Sequence, residues 1–418
     1  MSHKLHDTFP AVRVYVPAVR VESSLRESMR GLDELDAATI TQIVRLVGAG
    51  SRLSEHFAAN AVTLDELPAL FLPLQTALRA LLAHVAADYA ALIARADSDS
   101  SAETVRWLLP EGTPELHNGY EVCDRYFRFV RVQDMHVREW LGTMAFVSLE
   151  LVEDLPHSLL NWDELTALIL AITIQFDWTL PENTALESPA DPGSPEPVSA
   201  AAPPWQDEIE GVGRTVAISY FRLLVGHHIW QHFSVMAREC FERSAAAFAS
   251  RQDDEATAWL WKATRLFRAT TSTMWYASIF PRQTYQVELR PTMVETDSVD
   301  AQLQHLTYNL LKQSIKKLKA ALDERAQNQA PLQSMQAYAA LKEFYEFFVQ
   351  DMEQHILVAT SKVGLDSSLA QKIWQEKLPP NTRTKNAMDL LRDMAVLRQK
   401  EWQKVLNITL VEPVAENQ

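Results

Sequence analysis

Glycine is scarce in this chain, with 11 among 418 residues, and that scarcity argues against architectures built on strands and tight turns. Together with abundant Ala, Leu, Glu and Gln, it favours helix. Cysteine is scarcer still, with Cys123 and Cys240 as the pair present. Two cysteines this far apart build neither a disulfide framework nor a cysteine zinc site. Positive charge is also short: 39 Lys and Arg stand against 54 Asp and Glu, a net charge of −15. Phosphate backbones and anionic lipid surfaces attract the opposite sign, so neither nucleic acid nor membrane is an expected partner. Met1 to Pro17 has no apolar h-region, and the longest apolar run, Leu165 to Ile174, is too short to cross a bilayer. A cytoplasmic location is the expectation.

Motifs are missing as well. The chain has no dinucleotide fingerprint, no P-loop and no HExxH. It has no nucleophile elbow either. None of the twelve histidines stands in a Glu-x-x-His pair, so the helical di-iron carboxylate site is excluded.

What remains is helical periodicity supporting a large core, since 47% of residues are hydrophobic. Apolar residues three and four apart predict helices over Ser23 to Val47, Pro68 to Ala94, Leu116 to Val152 and Asn161 to Trp178. The same pattern continues over Gly213 to Ala249, Asp254 to Ile279, Val299 to Ala326, Ser334 to Val363 and Thr384 to Val405. The fold class is therefore an all-α multi-helix bundle. Residues 1–22 read as an N-terminal arm, with Val12 to Val16 as a short strand, and residues 23–410 as a single helical domain. A Pro-rich loop over residues 181–205 interrupts that domain, because proline at this density cannot continue a helix.

Four constellations could carry chemistry. On the run Phe344 to Gly364, a helix puts Phe344, Phe348, Met352, His355 and Ala359 near one face, so an imidazole projects from an apolar aromatic stripe. That suits the proximal ligand of a heme, and it equally suits a core histidine bonded to a backbone carbonyl. In Thr271 to Met293, an aromatic helix leads to Tyr285 and to Arg290, which stands before Pro291 at an expected helix end. An arginine there can clamp a carboxylate, with Tyr285 donating to the same group, or it can pair with Glu288 or Glu295 at the surface. His228 and His232 are i, i+4 partners that could bind a metal if Glu239 or His136 added a third ligand; they could also line a pocket or a helix surface. Asp134, His136 and Glu139 could exchange protons, or could be the polar face of a long helix with Arg131 and Arg138.

The run Tyr276-Ala277, Phe280, Gln283, Tyr285 and Leu289-Arg290-Pro291 resembles a stretch of the heme-dependent tryptophan/indoleamine 2,3-dioxygenase superfamily. Within it, the likeness is to the family of the pyrrolnitrin-pathway enzyme that rearranges 7-chlorotryptophan (monodechloroaminopyrrolnitrin synthase). Phe344 to His355 resembles that family's proximal-histidine helix, and Ala387 to Arg398 its last helix. The likeness covers about half the chain, mostly from residue 213 onward. It implies an indoleamine/tryptophan-dioxygenase-like bundle and a b-type heme whose iron is held by His355, with Phe348 and Met352 against the cofactor. It further implies O2 as co-substrate, an amino-acid-like or indolic substrate of tryptophan metabolism, Arg290 and Tyr285 as its binding residues, and a homodimer as the assembly to test. Two departures stand out: no glycine loop follows Gly364, and Val363 replaces a tyrosine of the pyrrolnitrin family. The missing glycine loop keeps open a helical binding protein without catalysis, and the His228 and His232 pair with carboxylates keeps open a non-heme metal oxygenase.

Overall fold

Residues 162–177 carry Leu, Ile, Ala and Phe around the whole circumference of a helix, a pattern that requires burial on all sides. In a computed structural model of the chain they form such a helix, with Leu168, Ile169, Ile172 and Phe176 fully buried. The structure describes residues 13–19, 23–59, 62–96, 124–181, 184, 213–293, 306–328, 332, 334–363 and 387–409. It is all-α, as expected, with two short β ladders among the described residues. The chain divides into two compact units, Met1–His232 with Ser272–Val299, and Phe233–Thr271 with Asp300–Gln418.

The first unit holds both ladders. Strand β1 (Val14–Pro17) runs parallel to β3 (Phe129–Val132), with Val14 opposite Phe129 and Pro17 opposite Val132. Strand β2 (Met29–Arg30) runs parallel to β4 (Met135–His136). Around them stand α1 (Ala37–Ala59), α2 (Leu67–His84), α3 (Ala86–Ala96), α4 (Val137–Asp154) and α5 (Trp162–Asp177). Helix α1 packs on α2 and α5, while α2 and α3 pack on α4. The core they close includes Ile43, Leu46, Phe71 and Trp140. Asn161 starts α5 by accepting the Glu164 N–H on its side chain at 3.0 Å, a standard N-cap.

The second unit contains α8 (Leu306–Gln327), α9 (Met335–Val363) and α10 (Ala387–Thr409), with α10 packed on both others. Two long helices supply residues to both units: α6 (Arg214–Ala249) and α7 (Asp253–Ala277). The second core is aromatic. Phe344 sits 4.9 Å from Phe241, 5.6 Å from Phe348 and 5.1 Å from Trp402, ring centre to ring centre. The Phe241 and Trp402 contacts are edge-to-face and the Phe348 contact is tilted, and such packing adds to the burial of each ring.

Three expected helices differ from the structure. The segment Ser23 to Val47 is α-helical only from Ala37, after a 3-10 turn at Leu32–Glu34, because Ser24 and Glu27 first bond each other's backbone N–H groups in a turn. Gly31 follows with φ of 76°, a left-handed conformation that ends any helix. The segment Pro68 to Ala94 breaks at Val85, and α2 and α3 meet at 64°. The segment Leu116 to Val152 is described from Asp124, and there it forms one helical turn over residues 124–127 and two strands before α4. Arg128 and Asp134, with φ of 59° and 50°, reverse the chain on either side of β3. His136 and Glu139 then cap α4 jointly: His136 Nδ1 accepts the Arg138 N–H at 3.2 Å, and Glu139 accepts the His136 N–H at 2.8 Å. Their work is therefore structural, and the proton-exchange reading of this trio gains nothing. The Pro-rich stretch, apart from Pro181 and Thr184, and the segment after Gly364 lie outside the described residues. So does most of the N-terminal arm. Among the described residues, no single helix is long and apolar enough to cross a membrane.

A Cβ on Gly31 would meet the His136 imidazole as well as an unfavourable left-handed backbone. Gly31→Ala should cost about 2 kcal/mol, the sum of the φ penalty and a displaced cap. Chemical denaturation followed by circular dichroism would read this as a lower midpoint.

Candidate functional site

Three histidines share α6 within the first unit, His228 and His232 buried and His227 half-buried. His227 stacks on Phe127 with ring centres 3.8 Å apart, and its Nδ1 lies 2.7 Å from the Leu223 carbonyl oxygen. His228 places Nε2 2.8 Å from the Phe127 carbonyl oxygen, while its Nδ1 has no hydrogen-bond partner among the described residues. His232 lies nearly flat on Trp140, with ring centres 4.6 Å apart, and neither of its nitrogens has such a partner there. Burial pushes all three pKa values down, to about 4 for His227 and about 3 for His228 and His232. They are neutral imidazoles at pH 7. Gly226 lets α6 approach α7 closely here, since a Cβ on it would lie 2.6 Å from the Ala277 Cβ.

His228 and His232 do stand one turn apart, as their spacing predicts. The expected third ligands are committed elsewhere: His136 caps α4, and Glu239 belongs to the second unit, where it pairs with Arg243 at 2.6 Å. Among the described residues no group of three or more His, Cys, Asp or Glu could hold a bare metal ion. A further perturbed group is Glu150 on α4. Burial, with the neighbouring Glu153 charge, pushes its carboxyl up to about 8, so it is protonated at pH 7.

The segment expected to bind a substrate carboxylate also lies in the first unit. Phe280 and Tyr285 stack with ring planes 10° apart and centres 5.7 Å apart. Tyr285–Leu289 is a π-helical turn, closed by the Arg290 N–H donating to the Tyr285 carbonyl. Such turns are rare and recur at functional sites. Arg290 does not end the helix as expected. It takes the right-handed helical conformation despite the following proline and opens a 3-10 turn, Arg290–Met293. Both Tyr285 and Arg290 are half-buried.

His355, Phe348 and Met352 lie together on α9 in the second unit. Phe348 and Met352 are buried, but the His355 side chain is 45% exposed. Its Nδ1 lies 3.0 Å from the Asp351 carbonyl oxygen and 3.5 Å from the Asp351 carboxylate. Burial alone would raise the Asp351 carboxyl, yet the charge of His355, Arg398 and a Thr271 hydrogen bond together hold it at about 2. An axial ligand of heme needs a fixed ring, a lone pair on one nitrogen and room beyond it for a planar macrocycle. His355 fits in its neutral form, in which Nδ1–H is anchored, Nε2 carries the lone pair and the side chain is 45% exposed. Burial lowers its pKa but the Asp351 carboxylate raises it overall, so the ring would give up a proton on binding iron. His232 has unpaired nitrogens but no open side, since the ring is fully buried against Trp140. Asp351, Thr271 and Arg398 were not singled out from sequence, although the i, i+4 spacing of Asp351 and His355 was visible there.

The neutral histidines of α6 give stability a pH dependence. Each has a folded pKa below the ordinary 6.5, so the unfolded chain binds more protons as pH falls through 6.5. Their stabilisation is complete above that value and is lost on acidification toward the folded values. Each histidine should cost roughly 2 kcal/mol between pH 7 and pH 5. Denaturation at both pH values should show His232→Phe losing less stability than the wild type by about that amount.

A family model described as SfmD 3-methyl-L-tyrosine peroxygenase matches residues 26–336, well over half of the chain. No curated protein and no solved structure matches. The matched span includes the α6 histidines, Tyr285 and Arg290, and it stops before Phe348, Met352 and His355. It supports the expected heme-dependent, oxygenase-type class, and it does not extend to the pyrrolnitrin-pathway enzyme or to tryptophan metabolism. The chain belongs to the SfmD 3-methyl-L-tyrosine peroxygenase family.

Proposed function

We propose that this chain is a heme-dependent peroxygenase that hydroxylates the ring of a tyrosine-type amino acid. The observation that carries the reading is the family match over residues 26–336. In the net reaction, one oxygen of hydrogen peroxide enters an aromatic C–H bond and the other leaves as water. A b-type heme held by His355, with Phe348 and Met352 as apolar wall, would supply the iron chemistry that activates peroxide. The chain's own residues do the rest. Arg290 binds the substrate carboxylate through paired N–H donors, and Tyr285 donates a hydrogen bond beside it. The Phe280–Tyr285 stack offers an aromatic face to the substrate ring. Substrate selection on this reading is for an aromatic amino acid, 3-methyl-L-tyrosine being the first to try. A cytoplasmic, dimeric enzyme is part of the same proposal.

Purified protein reconstituted with hemin should give a Soret band that shifts when the ferrous form meets CO. His355→Ala should abolish or displace that band, with partial rescue by added imidazole. A colourless protein after hemin addition would instead favour a binding protein without catalysis. With hydrogen peroxide under anaerobic conditions, 3-methyl-L-tyrosine should gain one oxygen atom by mass spectrometry, and a strict need for O2 would overturn the peroxide route. Arg290→Ala should raise KM for the amino acid roughly tenfold or more and change kcat less, because a bidentate carboxylate contact is lost.

A further inference from the structure

Asp351 stands one helical turn before His355 on α9 and is buried, at 4% exposure. A buried carboxylate needs partners, and two other helices provide them. Thr271 of α7 donates its hydroxyl to Oδ1 at 2.9 Å, and Arg398 of α10 reaches Oδ2 at 3.2 Å. Arg398 is itself held: it donates to the Phe348 carbonyl at 3.2 Å, and its guanidinium lies 4.3 Å over the Phe348 ring. The carboxylate thus has one fixed position, and that position is 3.5 Å from His355 Nδ1. The Asp351 carbonyl oxygen, 3.0 Å from the same nitrogen, directs the proton to Nδ1 and the lone pair to Nε2.

We propose that Asp351, fixed by Thr271 and Arg398, is the positioning residue that orients the His355 ring and strengthens Nε2 as a donor to heme iron. This inference rests on His355 being the axial ligand. Negative charge beside the Nδ1–H raises electron density across the imidazole, and a more basic ligand favours ferric over ferrous iron. The buried geometry preserves that effect, because solvent screens a buried charge weakly. The Arg398 guanidinium on Oδ2 offsets part of this effect, while Oδ1 is the oxygen that faces the imidazole.

The test compares full-length wild type, Asp351→Asn and Thr271→Val, each reconstituted with hemin. Asn keeps the shape of the side chain and removes its charge. The expected result is that Asp351→Asn binds hemin and lowers the ferric-over-ferrous preference at least tenfold, an upward shift of about 59 mV for one electron. Its iron–histidine stretching frequency should fall, as the bond to a weaker donor softens. Thr271→Val should shift both readouts in the same direction by less, since it loosens the carboxylate without discharging it. A potential and a stretching frequency unchanged in Asp351→Asn would overturn the proposal. Should Asp351→Asn fail to fold, Thr271→Val decides alone: unchanged values overturn, and shifted values support. A wild type that takes up no hemin, or a His355→Ala variant with an unaltered band, would overturn the heme reading at His355 and this inference with it. The first kind of failure leaves His355 as ligand, so the two are told apart.

Discussion

One buried carboxylate constrains the first unit. Asp154 ends α4 with no solvent exposure, and charge in that position is tolerated only when every oxygen is paired. Arg222 of α6 binds it bidentately, at 2.7 and 3.2 Å, and Tyr276 of α7 donates its hydroxyl at 2.9 Å. Arg222 also donates to the His157 carbonyl at 3.0 Å, which ties in the turn beyond α4. Three helices therefore have a common fixed point. Gly226, one turn beyond Arg222, permits the close approach that this point requires. The α6 histidines and the Phe280 to Arg290 segment both hang from helices whose spacing it sets.

Exposure separates the histidines of α6 from His355. Those of α6 are neutral and pressed against Phe127 and Trp140; His228 and His232 are buried, where a ring serves as a polarisable filler and any open valence is costly. His355 is anchored through Nδ1 and 45% exposed, an arrangement compatible with a metal ligand. The difference is one of surroundings, since both kinds of site sit on long helices beside aromatic side chains.

Much of the architecture was legible in the sequence. Asn161 to Trp178, Gly213 to Ala249 and Ser334 to Val363 are helices nearly to their expected ends, because apolar period and local propensity agree there. The failures fall where a few residues override a pattern. A side-chain turn at Ser24, a left-handed Gly31 and the reversals at Arg128 and Asp134 cost little sequence signal but end regular structure. Parallel ladders join residues more than a hundred positions apart, so although the strand expected at Val12 to Val16 overlaps β1, nothing local announces its partner. Within the site, His355 with Phe348 and Met352 could be picked out by helical spacing. The Thr271 and Arg398 contacts could not, because each comes from a separate helix and depends on tertiary packing. The family could be placed at the level of a heme-dependent oxygenase acting on an amino-acid-derived substrate, while the peroxygenase family itself needed the match.

The π-helical turn at Tyr285–Leu289 has a bearing on how this segment can change. Its hydrogen bond spans one residue more than an α-helical one, so every side chain after it is rotated by about 100° from its α-helical phase. The aim of Arg290 therefore depends on how many residues precede it, and only weakly on which ones. Loss of a single residue from the turn would return the backbone to ordinary helix and swing the guanidinium to another side. Length at this point acts as a selector: substitutions would adjust the affinity of the segment, and insertions or deletions would redirect it.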